Sequence, residues 1–373
     1  MKTLSSPPRG LRRPSPQRGF TLIELMVGMV IGLLATVVIA QVLVVSEGRR
    51  RTTVSGSEAQ VNGALALYAV QRDVQMAGYG LTAAVAGIGC AIKAQHNGVD
   101  YNLTLAPVII TDGASGAPDR VQVMSSAKQS YSVPSRVVTD HPRTAANFFV
   151  NTTVGTADGD LMIAVPKTID ANNWCSMFSV SGTSGTSQVL HVDGPSGPWN
   201  QAGGQTVFPA AGYPAGSYLV NLGQFATREI AVSATQALEV TTFNTTGAAT
   251  ATDELFPDIV NLQAFYGKDT NGDGVVDTYD NVTPTTAAGW QQLRSVRIAV
   301  VARSEQREKD GDFTATQPLW DVGTATSVTG AVACHGGASN CVTLKVDHLP
   351  EWQRYRYKVY DSVVPLRNLL WRS

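Results

Sequence analysis

The chain has 373 residues, a formal net charge of -1 and only 15% charged side chains. That length supports one large domain or two smaller ones, and the near-zero charge gives no sign of a nucleic-acid partner. Few charges, with abundant Gly, Ser, Thr, Ala and Val, suit a β-rich extracytoplasmic domain better than a cytosolic helical enzyme.

The first stretch carries Lys2, Arg9, Arg12, Arg13 and Arg18 and no acid. An apolar run follows from Phe20 to Val45, interrupted by Thr21, Glu24, Thr36 and Gln41. A spanning helix needs about 20 mostly apolar residues, so residues 20–45 are predicted to cross a membrane. The basic leader keeps its end cytoplasmic by the positive-inside bias. Arg49, Arg50 and Arg51 oppose that orientation, and Glu47 offsets one of them. The rest of the chain is therefore expected outside the inner membrane. The run is too long for the core of a secretory signal, about 7–15 residues, and no A-x-A-like site closes it. A plain anchor leaves Glu24 unexplained. A charge at the centre of a spanning helix costs about 2.5–3.5 kcal/mol, less near an end, and such residues usually mark a partner.

The helix is predicted to continue beyond the membrane, because no proline occurs from Phe20 to Gly78. Val54, Val61, Leu65 and Tyr68 recur at helical spacing, with Val70 and Val74 on another face. Gly78 and Gly80 in "MAGYG" supply a stop. A helix over residues 20–78 would span about 90 Å. Gly28, Gly32, Gly48, Gly56 and Gly63 are read as points of flexibility, and the second half is expected to pack on a globular head.

From about Leu81 onward, short β-type runs dominate. They are "RVQVM" from Arg120, "LMIAVP" from Leu161, "SYLVNL" from Ser217, "ALEVTTF" from Ala237, "IVNLQAFYG" from Ile259 and "RSVRIAVVARS" from Arg294. Gly/Ser/Thr/Asn-rich stretches separate them. The expected fold class is α+β, a long N-terminal helix packed on a β-rich antiparallel head over residues 79–373. The region from Cys90 to Tyr218 is long enough for an inserted subdomain. The tail alternates Arg354, Arg356 and Lys358 with Tyr355, Tyr357 and Val359, the period of a half-buried strand with a solvated basic face.

"DTNGDGVVDTYD" has the spacing of an EF-hand-type calcium loop. Asp269, Asn271 and Asp273 would take the first three ligand positions, and Gly274 the sharp turn. Val275 would offer its carbonyl, Asp277 a carboxylate directly or through water, and Asp280 the closing carboxylate where a bidentate Glu is usual. The bland alternative is an Asn/Asp/Gly turn joining two strands. The cofactor expected is structural calcium. Cys90, Cys175, Cys334 and Cys341 form an even set with no CxxC pair, which favours disulfides over zinc outside the cytoplasm. Four cysteines allow three pairings. Proximity favours Cys334 with Cys341, leaving Cys90 with Cys175. His96, His141, His191, His335 and His348 show no metal spacing, and no nucleophile elbow, Walker loop or dinucleotide fingerprint is present. The chain is not read as an enzyme.

"RGFTLIE" from Arg18 resembles the prepilin signature shared by type IV pilins and type II secretion pseudopilins: a basic leader ending in Gly, an aromatic, then a carboxylate at the fifth mature residue. "RDVQMAGYG", "LQAFYGKDTNGDGVVDTYD", "LRSVRIAVVARS" and "YRYKVYDSVVPLRNLL" resemble PilW-type minor pilins. The resemblance implies a leader over residues 1–19, cleavage between Gly19 and Phe20 by prepilin peptidase, and methylation of the new Phe20 amine. It also implies a helix that stays in the mature subunit. Glu24 would then pair with a Phe20 amine, of its own or a neighbouring subunit, and fix register in the filament.

The function expected from this resemblance is that of a minor pilin, taking part in priming the type IV pilus and in a tip complex. Its expected partners are other minor pilins, the major pilin and a pilus-tip adhesin, in a machine serving outputs such as twitching motility. Two alternatives stay open. One is a minor pseudopilin of type II secretion. The other is a calcium-dependent surface binding module on a membrane anchor.

Overall fold

The computed structural model describes residues 19–81, 87–128, 133–194, 197–201, 206–224, 226–246, 248–308 and 313–370. The basic leader residues Lys2, Arg9, Arg12, Arg13 and Arg18 lie outside these. The chain divides into two compact units, residues 1–54 and 55–373.

The first unit is helical. One helix runs Leu22–Met76, and its first part supplies the unit's described structure. Every large apolar side chain from Leu22 to Val45 is exposed. The stretch Leu22–Gly48 has a mean hydropathy of 2.6 and none of it is buried, so it is long and apolar enough to cross a membrane.

In the second unit the remainder of the helix lies on a β-rich body. Its inward face is built from small side chains: Ala59, Ala66, Val70 and Val74 are buried, continued by Ala77 beyond the helix end. Gly63 shares that face. A Cβ at Gly63 would stand 2.3 Å from the Tyr360 ring and 2.9 Å from Ala302 Cβ. Gly63 therefore lets the backbone approach the sheet closely. Val61, Leu65 and Tyr68 point the other way and are exposed. The helix ends before Gly78 and Gly80, which both adopt φ +76. Asn368 donates its side-chain amide to the Gln75 and Ala77 carbonyls, satisfying groups the helix end would otherwise leave open.

Two sheets receive the helix. In the four-stranded sheet the order is Thr278–Asp280, Ile259–Lys268, Leu293–Arg303, Tyr357–Pro365, all antiparallel. In the five-stranded sheet the order is Ala249–Pro257, Ala237–Asn244, Ala226–Val232, Arg120–Ser125, Val108–Thr111. Leu262, Ala264, Tyr266, Ile298 and Val300 join Val121, Val123, Ile230 and Val240 in one core with the helix. The Ile259–Lys268 strand is buried on both faces, and the two polar side chains inside it, Asn261 and Gln263, are satisfied by backbone carbonyls. Its second face carries Val260 and Phe265 against a three-stranded sheet of Leu319–Gly323, Asn340–Thr343 and Val332–Ala333. Phe265 stacks on Trp320 at 4.9 Å.

Residues 91–223 add a six-stranded sheet ordered Val99–Thr104, Ala91–His96, Cys175–Ser179, Leu161–Val165, Tyr218–Gly223, Ser135–Arg136. One pairing departs from the antiparallel expectation: Ala91–His96 runs parallel to Cys175–Ser179. Those two strands are also tied by the Cys90–Cys175 disulfide. A small sheet of Asn147–Phe149, Gln188–Leu190 and Gly182–Ser184 covers one face through Phe148, Phe178, Val189, Phe208 and Tyr213. Val108–Thr111 and Arg120–Ser125, within the same stretch of sequence, cross into the five-stranded sheet. Cys334 and Cys341 form the second disulfide, so both bridges follow the expected pairing.

The basic-aromatic tail forms a strand only from Tyr357. Trp352–Arg354 makes a short 3-10 turn ahead of it. Arg356 pairs with Glu308 and lies 3.9 Å over the Phe313 ring. Arg354 reaches Glu351 at 3.8 Å. These pairings are those of a solvated, charge-balanced face.

Candidate functional site

Three places carry the residues singled out by the sequence: the start of the long helix, the loop after Lys268, and the cysteine pairs already described.

Gly19, Phe20 and Thr21 precede the helix in non-helical conformation, and the Phe20 side chain is 88% exposed. Thr21 and Glu24 bond reciprocally. The Thr21 backbone N–H and its Oγ1 both donate to Glu24 Oε2, each at 2.8 Å. The Glu24 N–H donates back to Thr21 Oγ1 at 3.3 Å. This is a capping box: a Thr before the first turn and a Glu three residues later satisfy each other's orphan groups. The carboxylate that looked bare in the sequence thus has a partner in its own chain. Among the described residues no donor meets Glu24 Oε1. Sequence reading overlooked the cap, although Thr-x-x-Glu ahead of an apolar run is its signature.

The loop Asp269–Asp280 forms from its turn chemistry. Gly272 and Gly274 adopt φ +82 and +89, values that favour glycine. Asp269 points inward, and its side chain is fully shielded in the ion pair it makes with Arg294 at 2.8 Å. Asp269 also accepts from Gly272 N at 2.6 Å and Gly274 N at 3.0 Å. Burial pushes its carboxyl up, but the two amides and the guanidinium outweigh that and hold it below the usual range. Asn271 Oδ1 accepts from Asp273 N at 2.8 Å, and Asp273 Oδ1 accepts from Val275 N at 2.7 Å. Asp277 Oδ2 accepts from the Thr270 hydroxyl at 2.8 Å and the Thr270 amide at 2.6 Å, which lowers its pKa. Asp280 belongs to the next strand, where Lys268 Nζ grips both oxygens at 2.6 and 2.8 Å.

The fold therefore keeps Asp269, Asn271, Asp273, Val275 and Asp277 in one tight loop but gives Asp280 to Lys268. Among the described residues no three His, Cys, Asp or Glu side chains stand together as a metal-ligand set. Calcium wants several oxygens converging at 2.3–2.6 Å. Here two of the carboxylates are already neutralised by Lys268 and Arg294. As folded, this loop is a hydrogen-bonded turn whose acids answer local donors.

Two histidines scattered in sequence meet in space. His141 Nε2 and His191 Nε2 lie 2.9 Å apart, one donating and the other accepting. Both are buried, with Phe148 stacked on His141 at 3.7 Å and Phe178, Phe208 and Tyr213 around them. Burial lowers His141 to about 4. Burial, reinforced by the neighbouring imidazole, lowers His191 to about 3. Neutral at physiological pH and sealed among aromatic rings, the pair serves the core. Nothing in the sequence spacing of 50 residues could have announced it.

Residues 225–368 match the family model described as type IV pilus-assembly protein W. Residues 14–40 match the prokaryotic N-terminal methylation motif. No curated protein and no solved structure matches the chain.

Proposed function

We propose, from the premise that the chain belongs to the PilW-type minor pilins of the type IV pilus, that it helps prime filament assembly and sits in the minor-pilin complex at the tip. Its family is a structural component of the pilus. The observation that carries the reading is the Gly19-Phe20 junction standing before a capped, wholly exposed apolar helix. An apolar surface of that length needs lipid before assembly, and neighbouring helices after it. In this reading prepilin peptidase cuts between Gly19 and Phe20, and the Phe20 amine is methylated. The N-terminus faces the cytoplasm, and the head lies outside the inner membrane. Other minor pilins, the major pilin and a tip adhesin are the partners.

Glu24 has one oxygen committed to Thr21 and one open, so it can hold the helix start and still meet a cation. An ion pair in apolar surroundings sets register better than it adds stability. The test compares Gly19→Ala and Glu24→Leu in cells making the filament. Gly19→Ala is expected to leave uncut precursor in the membrane. Glu24→Leu is expected to be cut normally but to fall at least tenfold in the sheared filament fraction. Wild-type levels of Glu24→Leu in filaments would remove the register role. Normal filaments with defective protein secretion would move the chain to the pseudopilins of type II secretion.

A second proposal concerns calcium. The order of Asp269, Asn271, Asp273, Gly274, Val275, Asp277 and Asp280 favours it, as do the left-handed glycines. Binding would require Lys268 and Arg294 to release their carboxylates. Calorimetry of the full chain in detergent with millimolar calcium, against Asp269→Ala and Asp273→Ala, decides it. A binding heat and a rise in melting temperature, both lost in the variants, are expected. No heat and no shift would reduce the loop to a strand connector.

A further inference from the structure

A cleft of about 230 Å³ opens at one end of the six-stranded sheet, in the part of the chain that precedes the family match. The strand register builds it. Arg136, Tyr218 and Val165 stand directly opposite one another on three adjacent strands, so their side chains leave the same face. Pro166 and Lys167 follow one of these strands, and Gly216 leads into another. The backbone around the cleft is held on several sides. The Arg136 N–H donates to Asn151 Oδ1 at 2.7 Å, and its carbonyl accepts from Asn151 N at 2.9 Å. The Gly216 N–H donates to the Val137 carbonyl at 2.8 Å. A site held in this way loses little freedom when a ligand enters.

Two cations meet in the cleft without an anion. Arg136 and Lys167 are both exposed, and among the described residues neither side chain makes an ion pair or a hydrogen bond. Arg297, Arg303 and Arg356, by contrast, each have a carboxylate. A Cβ at Gly216 would stand 3.9 Å from Arg136 Nη2 and 3.8 Å from Lys167 Cδ, so the two side chains converge over that glycine. The acid at the rim is Asp140, whose Oδ1 accepts from Ala215 N at 2.8 Å, and it pairs with neither cation. Two cations drawn to one place favour an anion from outside.

The rest of the lining narrows the choice of anion. Val165 and Pro166 are buried, and the Tyr218 side chain keeps 38% of its surface open. A guanidinium presents a planar fork that takes a carboxylate through two hydrogen bonds, and a Tyr ring presents a flat apolar face with a polar tip. Free phosphate would use the cations and leave the ring idle. An acidic peptide side chain brings a carboxylate without a flat body. The space is below the roughly 300–1,000 Å³ of drug-sized pockets, which suits a single ring.

We propose that this cleft binds an acidic sugar, its carboxylate held by Arg136 and Lys167 and its ring laid against Tyr218. The site does not depend on the pilin reading, because it lies wholly within residues 136–218 of the head.

The test is calorimetric titration of the full chain in detergent with galacturonate trimer, the uncharged galactose trimer, inorganic phosphate and a Glu-rich peptide. Galacturonate trimer is expected to bind at least tenfold tighter than the other three, and to weaken as salt is raised. Arg136→Gln with Lys167→Gln should lower its affinity at least tenfold. Tyr218→Ala should lower it at least threefold. Lys167→Gln alone, at an exposed position beyond the strand end, should weaken binding with no change in melting temperature, which keeps the test valid if the double variant unfolds. No binding of the acidic trimer, equal binding of the neutral one, or affinity unchanged in the Lys167→Gln and double variants would overturn the site. Equal binding of phosphate or of the peptide, with Tyr218→Ala silent, would overturn the sugar. A chain that is cut and enters filaments but binds no sugar defeats the cleft alone. A chain that binds the sugar but is never cut defeats the pilin reading alone.

Discussion

Residues 91–223 and residues 226–370 are both sheet-rich, but they differ in how many of their polar side chains are held in charge pairs. The first region relies on neutral hydrogen bonds. Tyr213 Oη donates to Ser176 Oγ at 2.6 Å, Trp174 Nε1 donates to the Val207 carbonyl at 2.7 Å, and His141 shares a proton with His191. Among its described residues Lys128 pairs with Asp160, and Arg120 pairs outside the region with Glu229. The second region relies on charge pairs: Asp269 with Arg294, Asp280 with Lys268, Asp258 with Arg303, Asp361 with Arg297, Glu308 with Arg356. Arg303 and Arg297 also lie over Tyr355 and Trp320. The family model covers the ion-paired region, while the neutral region precedes it. The contrast teaches what each region fears. A neutral core is harmed by gaining charge, and a paired one by losing it.

The largest way to break the comparison is through the disulfides. Cys90–Cys175 closes a separation of 85 residues, and Cys334–Cys341 one of only 7. The chain-entropy estimate gives about 4–5 kcal/mol for the first and about 2–3 kcal/mol for the second. Cys90→Ser with Cys175→Ser is therefore expected to make residues 91–223 susceptible to protease and to lower the melting temperature the more. Cys334→Ser with Cys341→Ser should leave that region protected. Equal losses measured by thermal melting and limited proteolysis would erase the distinction.

Acid provides the next test. His141 and His191 titrate in the fold at about 4 and about 3, below their ordinary 6.5. The unfolded chain takes up their protons first. Their contribution is complete above about pH 6.5 and is lost as pH falls toward the folded values, by about 2.5 kcal/mol for His141 at pH 4.5. Melting curves between pH 7 and 4.5 should show residues 91–223 loosening first, and His141→Gln with His191→Gln should flatten the slope. A slope unchanged in the double variant would show that the histidines are not its source.

The smallest effect sharpens the other side. Arg354 and Glu351 are 3.8 Å apart and both well exposed. Arg354→Ala should change stability by less than about 0.5 kcal/mol in a denaturant titration. A larger loss would mean that even the exposed pairs of the second region carry weight.

Much of this architecture was legible beforehand, for reasons that are local. The absence of proline and the Gly78-Gly80 stop announced the helix to within two residues of its end. Alternation and β-branched runs announced the strands around Arg120, Ala237, Ile259 and Leu293. Proximity in sequence announced Cys334–Cys341. What escaped depends on distant neighbours. Val61, Leu65 and Tyr68 are the conspicuous helical residues, yet the buried face is that of Ala59, Gly63 and Ala66, and at Gly63 the Tyr360 ring and Ala302 leave no room even for a Cβ. The calcium pattern was visible in the loop, but not that Lys268 and Arg294 would take Asp280 and Asp269. The parallel pairing of Ala91–His96 with Cys175–Ser179 joins segments more than 75 residues apart, beyond any local signal.

The notch at Gly63 has a mechanical meaning. Tyr360 fills the space a side chain would take, as a key fills a slot in a shaft. The helix cannot turn about its own axis against the four-stranded sheet without swinging Asn62 or Ala64, the neighbours of the notch, toward that ring. Torque on residues 59–74 is therefore handed to the hydrogen-bonded strands rather than dissipated as rolling. The bearing of the exposed Val61, Leu65 and Tyr68 is thus set by the head when the subunit folds.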